Sequence, residues 1–113
     1  MAENFITKDS GKREEFSTGM QRDVQEGKIR YDLIYFPMLK RWAELMTRGA
    51  EKYEPNNWMK AKTQEELDRF RASAIRHFMQ WWEGDASEDH ASAVWFNICG
   101  AEYVKEKLKQ NNE

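Results

Sequence analysis

His77 and His90 are the only two histidines in the chain, and each falls where a helix would turn it inward. His77 stands two turns after Phe70, near one apolar stripe. An imidazole there either bonds a carbonyl or carboxylate within a core, or forms the floor of a pocket that meets a base or phosphate. His90 shares a helical face with Val94, Asn97 and Ala101. Two polar groups on an inward face satisfy each other's surroundings or line a cleft. The cleft is the preferred reading, because burying an unpaired polar group costs about 1–3 kcal/mol. Glu83, Asp85, Glu88 and Asp89 surround one expected turn between helices. Mg²⁺ takes oxygen ligands and often one or two carboxylates plus substrate phosphates, which this cluster could supply. Acidic residues also cap helix N-termini without any ion. Glu44 and Glu51 share a face that reads as solvated, together with Arg41, Arg48 and Lys52.

Lys28, Arg30, Lys52 and Arg76 are scattered cations, any of which could hold phosphate oxygens. Asn57-Trp58 follows a turn: tryptophan offers a stacking face for a base and the amide can read its edge. The alternative is a loop tryptophan that plugs the end of a bundle. No P-loop, GxSxG, HExxH or EF-hand pattern occurs, and Ser, His and Cys are too sparse for a nucleophilic triad.

The elements that must position these groups are helical. Pro37 suits a first helical turn, and Leu39, Trp42, Met46, Gly49/Ala50 and Tyr53 recur at helical spacing until Pro55, predicting a helix over about 37–53. Thr63 and Glu66 form a capping box ahead of Leu67, Phe70, Ala74, Phe78 and Trp81, a helix over about 64–83 that Gly84 stops. Asp85 or Ser87 is the expected cap of a third helix, whose stripe Ala91, Val94, Ile98, Ala101 and Leu108 runs to about 109. Residues 1–26 lack either periodicity and read as a flexible arm, 27–109 as one domain, and 110–113 as a frayed tail. The fold class is all-α, a small antiparallel bundle of three main helices, completed by pairing with further copies of the chain.

Composition sets the outer bounds. The chain has 113 residues, with 18 Lys and Arg against 20 Asp and Glu. A net charge of −2 argues against a general nucleic-acid binder, and no sequence-specific nucleic acid is expected. No apolar run spans a membrane and no signal peptide is read, so the expected location is the cytoplasm. Cys99 is alone, which excludes an internal disulfide. Aromatics reach 13%, with five Trp, more than so small a chain easily buries. Trp42, Trp81, Trp82 and Trp95 are assigned to a subunit seam, and Trp58 to a pocket.

Six strings follow one another in order: Gly27-Lys28-x-Arg30-Tyr31-Asp32-Leu33-Ile34; Arg48-Gly49-Ala50-Glu51-Lys52-Tyr53; Asn57-Trp58; Ser73-Ala74-x-Arg76-His77-Phe78; Trp82-Glu83-Gly84-Asp85; and Glu88-Asp89-His90-x-x-Ala93-x-x-x-Asn97. This order resembles the dATP/dGTP diphosphohydrolase N-terminal domain family, widespread in bacteriophages and related in fold to the all-α MazG-like pyrophosphohydrolases. The resemblance implies a hydrolase that uses Mg²⁺ or Mn²⁺ to direct water onto the α-phosphorus of a purine (deoxy)nucleoside triphosphate, releasing pyrophosphate and a monophosphate. It implies that Lys28, Lys52 and Arg76 hold phosphates and that Asp32, Asn57 and Trp58 shape the nucleotide site. Arg30, Tyr53 and Asn97 complete the substrate-binding set. Glu83, Glu88 and Asp89 would hold metal, and His77, Asp89 and His90 would be catalytic. For a phage-encoded chain the compartment would be the host cytoplasm. The paired ExxE and ExxD motifs of MazG-like enzymes are incomplete here, since Glu83 ends one helix and Glu88-Asp89 begin the next. A second reading is therefore a protein that sequesters a nucleotide, including a host defence signal, without cleaving it. A third is a helical assembly protein whose aromatics bind no nucleotide.

Overall fold

The computed structural model describes residues 4–111. The chain divides into two compact units, the first ending at Leu33 and the second beginning at Ile34. That division falls later than the one expected after residue 26. Within the first unit, the segment read as a flexible arm holds a two-stranded antiparallel sheet, β1 (Arg13–Glu15) and β2 (Gln21–Asp23), with Glu14 opposite Arg22. Its strands carry no apolar alternation, and polar side chains fasten it. The Asp23 carboxylate accepts from the backbone N–H and the hydroxyl of Ser10. Arg13 forks onto Asp9 at 2.8 and 2.9 Å. A short 3₁₀ turn, Tyr31–Leu33, follows. Residues 1–3 of the expected arm lie outside the described residues, as do residues 112–113 of the expected tail.

The second unit is all-α: α1 (Phe36–Lys52), α2 (Gln64–Trp82) and α3 (His90–Asn111), with a 3₁₀ turn over Asn57–Lys60. The capping box of α2 is present, with Thr63 Oγ1 accepting from the Glu66 N–H and Glu66 from the Thr63 N–H at 3.1 Å. Gly84 adopts φ +84° and ends α2. The Gly84 N–H donates to Trp81 and the Asp85 N–H to Gln80, so the last carbonyls are satisfied. The cap of α3 is neither Asp85 nor Ser87. Asp89 does this work, its carbonyl accepting from Ala93 at 3.1 Å and its side chain from the Ser92 N–H at 3.2 Å. Asp85 instead accepts from the Ser87 N–H at 2.7 Å and folds the loop. α3 continues beyond the expected end at 109.

The core lies between α2 and α3, where Ala61, Leu67, Ala101 and Val104 are buried and Phe70, Tyr103 and Leu108 close around them. Gly100 permits that approach, because a Cβ there would come within 2.7 Å of the Phe70 ring. α1 has no buried residue and meets α3 through Trp42 stacked on Trp95, ring centroids 5.3 Å apart. The expected stripes fail at the far end of α2, where Phe78 and Trp81 are exposed and the inward positions are Ser73 and His77. Ile98 of α3 is likewise exposed. Among the described residues no helix is long and apolar enough to cross a membrane.

Candidate functional site

Helical periodicity brings the cleft together. Leu45, Arg48, Gly49 and Lys52 share a face of α1; Glu66, Arg69, Phe70, Ser73, Arg76 and His77 share a face of α2. These faces line two adjoining cavities. The first, about 680 Å³, is bounded by Arg48, Ser73, Arg76, His77, Glu88, Asp89 and Asn97 among others. The second, about 670 Å³, is bounded by Arg48, Lys52, Tyr53, Asn57, Trp58 and Arg69 among others. Leu45, Arg48, Glu88 and Phe96 belong to both walls, so the two are halves of one cleft.

Trp58 sits on the 3₁₀ turn with its ring edge-on to Tyr103 at 5.1 Å and Phe96 at 6.0 Å. It therefore closes the end of the helix pair and lines the second cavity at once. The Lys52 ammonium lies 5.1 Å from the centre of the Tyr53 ring. Asn97 is buried, and its amide nitrogen donates to the Ala93 carbonyl at 2.8 Å.

The cleft's charges are unevenly matched. Asp89 receives both arms of Arg41, at 2.6 and 2.9 Å, and the Ser92 hydroxyl at 2.9 Å. The Arg41 guanidinium holds its carboxyl well below the usual carboxylate range. Its lone pairs thus serve to cap α3 and tie it to α1. Glu54 pairs with Lys60, and Glu66 is committed to its capping box. Glu88 is exposed and carries no such bond. Among the described residues, no carboxylate lies within ion-pair reach of Arg48, Lys52, Arg69 or Arg76. A chain of net negative charge therefore presents four cations without an ion-pair partner to one cleft, among acids largely committed elsewhere.

Behind this wall the two histidines meet, Nδ1 to Nδ1 at 2.9 Å. His90 is 2% exposed, and its Nε2 has no hydrogen-bond partner, with Asp85 Oδ1 3.5 Å away. Arg76 Nη2 stands 3.4 Å from His77 Nε2. Burial, then the Arg76 charge, pushes the His77 imidazole below its ordinary value. His77, Glu88 and His90 offer ligand atoms within 4.8 Å of one another.

Of the residues named from sequence, Lys52, Tyr53, Asn57, Trp58, Arg76, His77, Glu88, Asp89 and Asn97 line the cleft, with His90 behind it. Glu83 caps the C-terminal end of α2 and lines neither cavity. Lys28, Arg30 and Asp32 belong to the first unit. There Lys28 pairs with Asp23 at 3.7 Å, and Arg30 forks onto Asp32 at 2.7 and 2.8 Å. Sequence reasoning passed over Arg48 and Arg69. Arg48 is exposed, as the solvated face predicts, and also borders both cavities; its three- and four-residue spacing to Leu45 and Lys52 carries that signal.

Residues 18–112 match a family model described as dATP/dGTP diphosphohydrolase, N-terminal. No curated protein and no solved structure gives a significant match.

Proposed function

Because the chain belongs to the dATP/dGTP diphosphohydrolase N-terminal family, we propose that it binds a purine (deoxy)nucleoside triphosphate in the paired cavities and hydrolyses it to monophosphate and pyrophosphate. The observation that carries this reading is the set of four cations without ion-pair partners beside the aromatic wall. A triphosphate needs the first and a base the second. Arg48, at the junction of the cavities, holds the middle of the phosphate chain, with Lys52, Arg69 and Arg76 around it. Tyr53 and Trp58 face the base, and Asn57 reads its edge. Glu88 lines both cavities and keeps its carboxylate free of protein donors, which fits a divalent ion held by one carboxylate and substrate phosphates. Such an ion, Mg²⁺ or Mn²⁺, supplies charge for the phosphate oxygens and acidity to a bound water. Asp89 acts through Arg41 and Ser92, setting the start of α3. The test is incubation with dATP or dGTP and either metal, reading pyrophosphate. Release is expected, and its loss in Arg48→Ala; a folded chain that releases none with either metal defeats the reading.

A second reading, capture without cleavage, is favoured by the commitment of Asp89, Glu54 and Glu66 to protein partners, which leaves Glu88 as the uncommitted acid of the cleft. It extends to a nucleotide signal of host defence. It predicts metal-independent binding by calorimetry and recovery of the nucleotide unchanged. The exposed Phe78, Trp81 and Trp82 support homo-oligomer formation through α2, which light scattering of the purified chain would read as a multiple of 13.5 kDa.

A further inference from the structure

The geometry points to a metal centre made of His77 Nδ1, His90 Nδ1 and a Glu88 carboxylate oxygen, selective for a first-row transition ion such as Mn²⁺ or Co²⁺ over Mg²⁺. Three observations support it. The two Nδ1 atoms face each other at 2.9 Å. Two nitrogens that share one proton at this hydrogen-bond distance can instead share one ion about 2.1 Å from each. Glu88 stands beside the pair, each of the three residues offering a ligand atom within 4.8 Å of the others, and its exposed side chain is free to close on the ion. It lines both cavities, so the opposite positions of the ion open toward the cleft.

The surroundings of His90 agree. Its Nε2 is buried without a hydrogen-bond partner, and the Asp85 carboxylate stands 3.5 Å from it. A carboxylate on that side keeps the proton on Nε2 and turns the Nδ1 lone pair toward the ion, the usual support of a ligating imidazole. Asp85 is held for this by the Ser87 N–H. On the His77 side, ligation through Nδ1 places the proton on Nε2, so the Arg76 guanidinium, a donor 3.4 Å away, must turn from it when the ion binds. The Arg76 side chain is exposed and lines the first cavity, which gives it room to do so. Two imidazoles in a set of three donors disfavour Mg²⁺, which prefers oxygen throughout.

The centre shares the cleft with the nucleotide reading but does not rest on it, so the experiment omits nucleotide. The full chain, stripped with chelator, is dialysed against Co²⁺, Mn²⁺ or Mg²⁺, and bound metal is measured together with the visible spectrum of the Co²⁺ form. One Co²⁺ or Mn²⁺ per chain is expected, not displaced by an equal concentration of Mg²⁺. His77→Gln should abolish the site. Glu88→Gln, at an exposed position that leaves the fold intact, should weaken it at least 10-fold. Asp85→Asn should weaken it about 10-fold through His90 alone. Absence of bound Co²⁺ and Mn²⁺ overturns the proposal. So does displacement by equal Mg²⁺, or unchanged affinity in Glu88→Gln. Failure of nucleotide turnover leaves each of these results standing.

Discussion

Toward Leu67 and Val104 the seam between α2 and α3 is apolar and close, with Gly100 admitting the Phe70 ring. Toward His77 and His90 the same two helices bury Ser73, His77, His90, Ser92 and Asn97. A buried aliphatic side chain contributes about 1.5–3 kcal/mol, whereas a buried polar group at best offsets its own desolvation. The first half therefore holds the helices together, and the second half uses that rigidity to keep polar groups in place. The difference teaches that stability and chemistry are divided along one helix pair, half its length apart.

The sharpest way to break this division is to cut each half in turn. Leu67→Ala should cost about 2–5 kcal/mol in denaturant unfolding, because it opens a cavity in the small apolar half. The double change His77→Leu with His90→Leu should stay within about 1 kcal/mol of the parent while losing bound metal, since removing both partners leaves no orphaned group. A large loss in the double variant would assign structural work to the polar half as well.

Asp89→Ala removes a helix cap and the half-exposed tie to Arg41, and should cost roughly 2 kcal/mol. The sign with pH follows from its depressed folded value. The stabilisation is complete above about pH 5, and is lost as acid titrates the carboxylate through that value. The gap in Tm between the parent and Asp89→Asn should be flat near neutrality and close in acid; a gap that widens in acid would contradict the assignment. Trp58→Ala should weaken nucleotide binding by about 1–2 kcal/mol in calorimetry, with a further small loss of stability from its contacts to Phe96 and Tyr103. Smallest of all, Glu88→Gln should move stability by less than about 0.5 kcal/mol, as an exposed carboxylate without protein partners.

The three helices were legible because Thr63, Glu66, Gly84 and Pro55 punctuate them with unambiguous chemistry. The apolar stripes were less so. Continuing the Leu67–Phe70 stripe to Phe78 and Trp81 by hydrophobicity leads off the true inward face, which passes through Ser73 and His77. The inward placement of His77, His90 and Asn97 was readable from spacing alone. Their meeting was not, since the Gly84 turn and the Asp85–Asp89 loop decide which imidazole atoms face each other. The paper-thin sheet of the first unit left no trace in periodicity, because Asp9, Ser10, Arg13 and Asp23 hold it through side-chain bonds. The tie of Asp89 to Arg41 was hidden as well, because Arg41 is remote in sequence and no local pattern announces it.

The attachment of α1 has a mechanical consequence. Arg41 and Trp42 fasten the helix to α3 near its start, by the Asp89 clamp and the Trp95 stack. Lys52 stands roughly 15 Å farther along the same rod, at 1.5 Å per residue. The fastening is a fulcrum and the cleft-lining end a lever arm. A tilt of about 5° at Trp42 carries Lys52 through about 1 Å, enough to make or break a bond to phosphate. The position of Lys52 in the cleft is thus set by two contacts about 15 Å away.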